Sequence, residues 1–228
     1  MNPVKPGETP RTPWIVGVSG ASGTPYAAAV LRGLLDAGES VDLVVSRASR
    51  LTLLDETGIS FRDAHWRDDL RAWLSRGADG KPDTFSVDLD AVRHWSAGDL
   101  AAGPSSGSYP TRGMLIVPAS TASVAGVALG LSKDLLQRAA SVTLKEGRRL
   151  VVAVRETPLN GQTLRHLVTL DDAGAAVVPA SPAFYAGATH IQDLVDFVAG
   201  RVLDAAGVPH TLYRRWQGEL GGGAHRAG

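Results

Sequence analysis

Trp14-Ile-Val-Gly-Val-Ser-Gly-Ala-Ser-Gly23 is the stretch whose reading decides the fold. Its first half is a short apolar run without alternation, as expected of a strand covered on both faces. Its second half is a glycine turn, and Thr24 to Ala37 reads as a helix that Gly38 is well placed to stop. Strand, turn and helix recur along the chain. Val41–Val45, Gly113–Pro118, Leu150–Val154 and Ala175–Val178 read as further buried strands. Helical patterns cover Leu51–Glu56, Ala122–Gly130, Asp134–Glu146 and, as a long amphipathic closing element, Ile191–Ala206. This alternation predicts an α/β fold, a doubly wound parallel sheet in a single domain over 14–217.

Around that core the sequence is less regular. Residues 62–107 hold two tryptophans spaced for one helix, Trp66 and Trp73, between irregular stretches, and read as an insertion serving as a lid or an oligomer contact. Met1 to Pro13, with four prolines, reads as a flexible leader and not as a signal peptide. Gly218 to Gly228 reads as a flexible tail. No apolar run approaches the ~20 residues a bilayer span needs, so a cytoplasmic protein is expected.

Composition narrows the chemistry. The 228 residues carry 23 basic and 23 acidic side chains, a balance that argues against nucleic-acid or anionic-membrane binding. With no cysteine, thiolate nucleophiles, disulfides and iron–sulfur clusters are excluded. The six histidines are scattered without metal-ligand spacing, so no metal site is expected.

The Gly17–Gly23 turn either cradles a phosphate at the start of the first helix or is a tight turn with no ligand. A dinucleotide site places an acid at the tip of the second strand; here that tip is Ser46, which favours a mononucleotide such as FMN. Pro118-Ala-Ser-Thr-Ala-Ser123 is a second hydroxyl-rich turn, able to cap a helix or to bind a ligand in the sheet crevice. Arg155 and Glu156 directly follow a buried strand. They are either an anion-holding and proton-moving pair at the sheet edge or a surface ion pair. Arg201 is either a site residue or a helix-face arginine beside Asp204.

Taken together, these segments resemble the UbiX/Pad1-type flavin prenyltransferases from about Trp14 to Trp216. The resemblance rests on Val18-Ser-Gly-Ala-Ser-Gly23, Ser46, Gly107-Ser-Tyr-Pro110 and Pro118-Ala-Ser-Thr. It continues through Lys145-Glu, Arg155-Glu-Thr-Pro158, Pro182-Ala-Phe-Tyr185, Asp193-Leu-Val-Asp-Phe-Val198 and Arg201. It implies a flavodoxin-like (Rossmann-like) subunit of a homo-oligomer, a dodecamer, with active sites between subunits. It implies FMN held by Gly20, Ala21, Ser22, Ser46, the turn Ser120, Thr121, Ala122 and Ser123, and Arg155. The implied reaction joins the dimethylallyl group of dimethylallyl phosphate to N5 and C6 of reduced FMN, and the product serves a UbiD-type decarboxylase. Matching positions assign Lys145, Tyr185 and Arg201 to the prenyl phosphate and Glu156 to proton handling. Glu56 and Arg138 align with further active-site positions, and Trp216 with an aromatic of the tail.

The residue types suit that chemistry. An allylic phosphate departs leaving a carbocation, so cations belong at the leaving group and an inert aromatic face beside the cation. Departures from the family pattern include the longer 62–107 stretch, Val154 before Arg155, Gly187-Ala188 after Tyr185, and Asp134 where asparagine is frequent. Two rival readings stand beside this one. A flavin-dependent cysteine decarboxylase of the same fold needs a Pro-x-Met-Asn clamp, whereas the methionines here are Met1 and Met114. A non-catalytic FMN-binding or delivery protein would keep the glycine turn without needing the cationic cluster.

Overall fold

In the computed structural model, residues 11–81, 88–216 and 218 are described. The sequence up to residue 10, residues 82–87 of the insertion, and nearly all of the tail lie outside them. Six parallel strands form one sheet in the order β3-β2-β1-β4-β5-β6. They are β1 (Trp14–Val18), β2 (Val41–Val45), β3 (Val92–Ser96), β4 (Gly113–Ala119), β5 (Arg149–Val154) and β6 (Ala176–Pro179). The strands β1, β2 and β4 are buried throughout their length, which is why they read as unbroken apolar runs.

Helices cover both faces. They are α1 (Thr24–Asp36), α2 (Arg47–Thr57), α3 (Trp66–Leu74), α4 (Thr121–Ala128), α5 (Leu135–Lys145), α6 (Gly161–Asp172) and α7 (Ile191–Ala206). One core cluster joins α1, α3 and α7 to the sheet through Leu31, Leu34, Trp73, Val202 and Leu203. The other lies beneath α4, α5 and α6 and holds Val124, Leu136, Ala140, Leu167 and Leu170. Strand order reverses between β1 and β4, so a crevice opens at their carboxyl ends, the usual ligand position in such sheets. Among the described residues, no helix is long and apolar enough to cross a membrane.

The 62–107 stretch, expected as an irregular insertion with one helix over Trp66 and Trp73, supplies that helix as α3 and also the edge strand β3, which makes it part of the sheet and pairs with β2 from Val41↔Val92 to Val45↔Ser96. A buried polar cluster ties this edge down. Asp42, fully buried, accepts hydrogen bonds from Arg11, from Trp95 Nε1 at 3.0 Å and from the Tyr109 hydroxyl at 2.8 Å. A buried carboxylate is tolerated because each oxygen has a donor.

Candidate active site

The carboxyl end of β1 leads through Ser19 into the glycine turn. Ser19 is fully buried; its hydroxyl donates to the Pro118 carbonyl at 2.8 Å and accepts from the Ser120 amide at 2.7 Å. That pair of bonds stitches the end of β1 to the end of β4 and fixes the crevice width. Gly23, at φ 114°, adopts a left-handed conformation that side chains disfavour. The first turn of α1 is then closed by Glu56, from the far end of α2. Its carboxylate accepts from the Gly23 amide at 2.9 Å, the Thr24 amide at 2.8 Å and the Thr24 hydroxyl at 2.6 Å. Burial alone would raise the Glu56 pKa, but hydrogen bonds from Thr24, Ser22 and the two amides outweigh it and hold the carboxyl below its ordinary value.

Two further helices start at the same edge. Ser46 caps α2, its hydroxyl oxygen accepting from the Ser49 amide at 3.1 Å, and Ser120 caps α4, accepting from the Ser123 amide at 3.3 Å. The capping alternative read for the second turn is thus realised at Ser120. The amides of Thr121 and Ala122, at the open end of α4, keep no partner within the described chain. Open helix N-termini flanking a strand crevice are a donor set that suits a phosphate. Gly20, Ala21 and Ser22 lie in the turn between these helices.

Arg155 and Glu156 follow β5 at this edge. No ion pair between them is present among the described residues; Arg155 Nε instead donates to the Ser22 carbonyl at 2.9 Å, and Glu156 Oε1 accepts from the Thr157 amide at 3.0 Å. Beside them opens a cleft of about 480 Å³ that includes Ser22, Tyr26, Glu56, Arg155 and Pro182 in its lining. Tyr26 was not legible as a site residue in the sequence. Burial raises its phenol pKa; the Arg155 charge opposes that rise and the Glu56 charge adds to it.

The remaining candidates lie elsewhere in the chain. Tyr185 stands edge-on to Phe197 and to Trp216, each with ring centroids 5.7 Å away. Arg201 donates to Asp204 at 2.8 Å and to the Tyr213 hydroxyl at 3.3 Å, so the pairing with Asp204 is present. Asp204 also accepts from Tyr213, His210 and Arg215. Burial would raise its pKa, but those donors hold it far below the usual carboxylate range. Arg138 donates to the Ser105 carbonyl at 3.1 Å. Lys145, at the last turn of α5, pairs with Glu146 beneath Gly107, where an added Cβ would lie 2.7 Å from its Nζ.

Lys145 therefore precedes β5 and Arg155 follows it. The six residues of β5 span ~20 Å, so the two cations of one chain sit at opposite edges of the sheet. Arg201 also lies toward the amino edge, since Arg149, at the start of β5, donates to the Ala205 carbonyl one turn beyond it. A convergence of Lys145, Arg155 and Arg201 within one chain is not what the fold produces.

A parallel doubly wound sheet with open helix ends at its crevice defines a nucleotide-binding α/β protein, and the flavoprotein family model matches residues 4–203. Flavin prenyltransferase UbiX of Streptomyces coelicolor is 90% identical over 210 residues, 92% of this chain and 97% of that protein. The crystal structure of AnUbiX (PadA1) in complex with FMN and dimethylallyl pyrophosphate superposes with a TM-score of 0.77 at 33% identity, covering 92% of this chain and 100% of that one. A dodecameric FMN-dependent UbiX-like decarboxylase from Escherichia coli O157:H7 gives 0.75 at 35% identity, covering 91% of this chain and 100% of that one. The chain belongs to the UbiX flavin prenyltransferase family.

Proposed function

We propose that the protein transfers the dimethylallyl group of dimethylallyl phosphate to N5 and C6 of reduced FMN. The observation that carries this reading is the crevice itself. It combines open amides at α4, two serine-capped helix starts and Arg155 held over the glycine turn, beside a cleft that Glu56 and Arg155 help to line. The donor set fits the FMN phosphate: Ser46, the Ser120–Ser123 turn and the backbone of Gly20 to Ser22 would hold it, with Arg155 and Arg138 alongside. Reduced FMN, when bound, supplies the nucleophilic N5 and C6. Lys145, Tyr185 and Arg201 hold the prenyl phosphate and stabilise the charge it gains as the allylic bond breaks. Glu156 accepts a proton at its carboxylate, and Tyr185 and Trp216 offer aromatic faces to the allylic carbons.

Because Lys145 and Arg155 lie ~20 Å apart in one chain, this reading requires a homo-oligomer in which a second copy completes the site. The dodecameric relative supports that assembly. The prenylated flavin is then used by a UbiD-type decarboxylase. Glu156→Gln and Lys145→Ala are expected to retain FMN and lose prenylation, measured as flavin fluorescence titration beside product mass. Unchanged turnover in both variants overturns the assignment.

A further inference from the structure

The cleft beside Glu56 and Arg155 has two chemically different sides. Ser22, Glu56 and Arg155 make one polar; Ala78, Ile191, Leu194 and Val195 make the other apolar. Ile191, which lines the cleft, leaves 56% of its surface uncovered. Ala78 comes from the segment between α3 and β3, far in sequence from α7, yet it packs on the main core and lines the same cleft.

A single side chain fixes that meeting. The Ala78 amide donates to Gln192 Oε1 at 2.7 Å, and Gln192 Nε2 donates to Asp196 Oδ1, one turn further along α7, also at 2.7 Å. A Cβ on Gly77 would lie 3.6 Å from the same Gln192 oxygen, so the backbone of 77–78 lies close against the amide group. The carboxamide spends its acceptor on the segment and a donor on its own helix, which leaves it little freedom to turn.

We infer that Ala78, clamped by Gln192, is the wall that sets how long a prenyl chain the site accepts. The inference rests on the prenyl-transfer reading above and adds its chain-length selectivity. A hydrocarbon chain belongs on the apolar side, with its reacting carbons toward the polar side, where the flavin is held in the reading above. Ala78 carries the smallest side chain of that apolar side. A larger residue there shortens the space from the first atoms outward, and loosening the clamp lengthens it. Discrimination by one methylene in an apolar pocket runs from about 10- to 200-fold, so a single wall residue is enough to separate a five-carbon from a ten-carbon donor.

The test uses the full chain with reduced FMN under anaerobic conditions and two donors, dimethylallyl monophosphate and geranyl monophosphate. Product mass, kcat and KM are measured for each donor, with FMN affinity titrated separately. Ala78→Leu is expected to raise KM for dimethylallyl monophosphate about tenfold while FMN affinity stays within about twofold. Gln192→Ala is expected to raise geranyl transfer relative to dimethylallyl transfer about tenfold. Should Ala78→Leu not fold, the donor ratio of Gln192→Ala decides alone. Wild-type KM and donor ratio in the folded variants overturn the inference, as does a loss confined to FMN affinity, which would assign the wall to the flavin. A wild-type chain that binds FMN and transfers neither donor overturns the prenyl-transfer reading itself.

Discussion

Replacing Glu56 by alanine tests whether one carboxylate both closes α1 and shapes the glycine turn. The side chain accepts from two backbone amides, at 2.9 and 2.8 Å, and from the Thr24 hydroxyl at 2.6 Å. Losing a helix cap costs about 1 kcal/mol, and losing a negative charge at a helix start costs about 0.3–1 kcal/mol more, so the expected loss is about 1–2 kcal/mol. For a chain of this size that is about 2–8 °C in Tm, measured at fixed protomer concentration. Glu56→Gln keeps one acceptor oxygen and loses about half as much. The effect has a defined pH dependence. The folded carboxyl is held below its ordinary 4.5, so its contribution is complete above that pH and disappears as pH falls through the lowered folded value. The gap between wild type and Glu56→Ala is therefore constant around neutral pH and closes in acid. A gap of zero at neutral pH, or one that persists unchanged into strong acid, refutes the capping argument.

Two further outcomes follow from the same geometry. Asp204→Asn removes the anion shared by Arg201, His210, Tyr213 and Arg215, and a loss of about 1–3 kcal/mol is expected in thermal melts. Because its carboxyl lies further below the usual range than that of Glu56, this loss survives to lower pH before it closes. Co-expressing Lys145→Ala with Glu156→Gln is expected to restore part of the prenylation that each variant lacks alone, since the proposed site draws the two residues from different copies. Mixed oligomers with no recovered activity would place both residues in one chain's site.

The parallel core was legible because β1, β2 and β4 are buried on both faces, and burial on both faces writes an apolar run into the sequence. The edge strand β3 was not. In Val92-Arg-His-Trp-Ser96 only Val92 is buried, so neither a run nor a clean alternation marks it, and pairing with β2 makes it a strand. Helix α6 carries a readable signal, Asn160 as its cap and Thr163, Leu167 and Leu170 on one face. At the site, turns and charged residues next to strand ends could be read locally. The closure of α1 by Glu56 joins residues 32 apart, and no local pattern announces it. The same holds for Gln192 and Ala78, which meet 114 residues apart. Lys145 was legible as a cation but not its position, because the direction of α5 carries it to the amino edge of the sheet.

The most direct measurement is the mass of the flavin released after anaerobic incubation of the full chain with reduced FMN and dimethylallyl monophosphate. The expected flavin is heavier than FMN in the same oxidation state by one C5H8 unit, with one inorganic phosphate released for each flavin modified. Flavin recovered at the mass of FMN, from protein that binds it and with the donor intact, would contradict prenyl transfer.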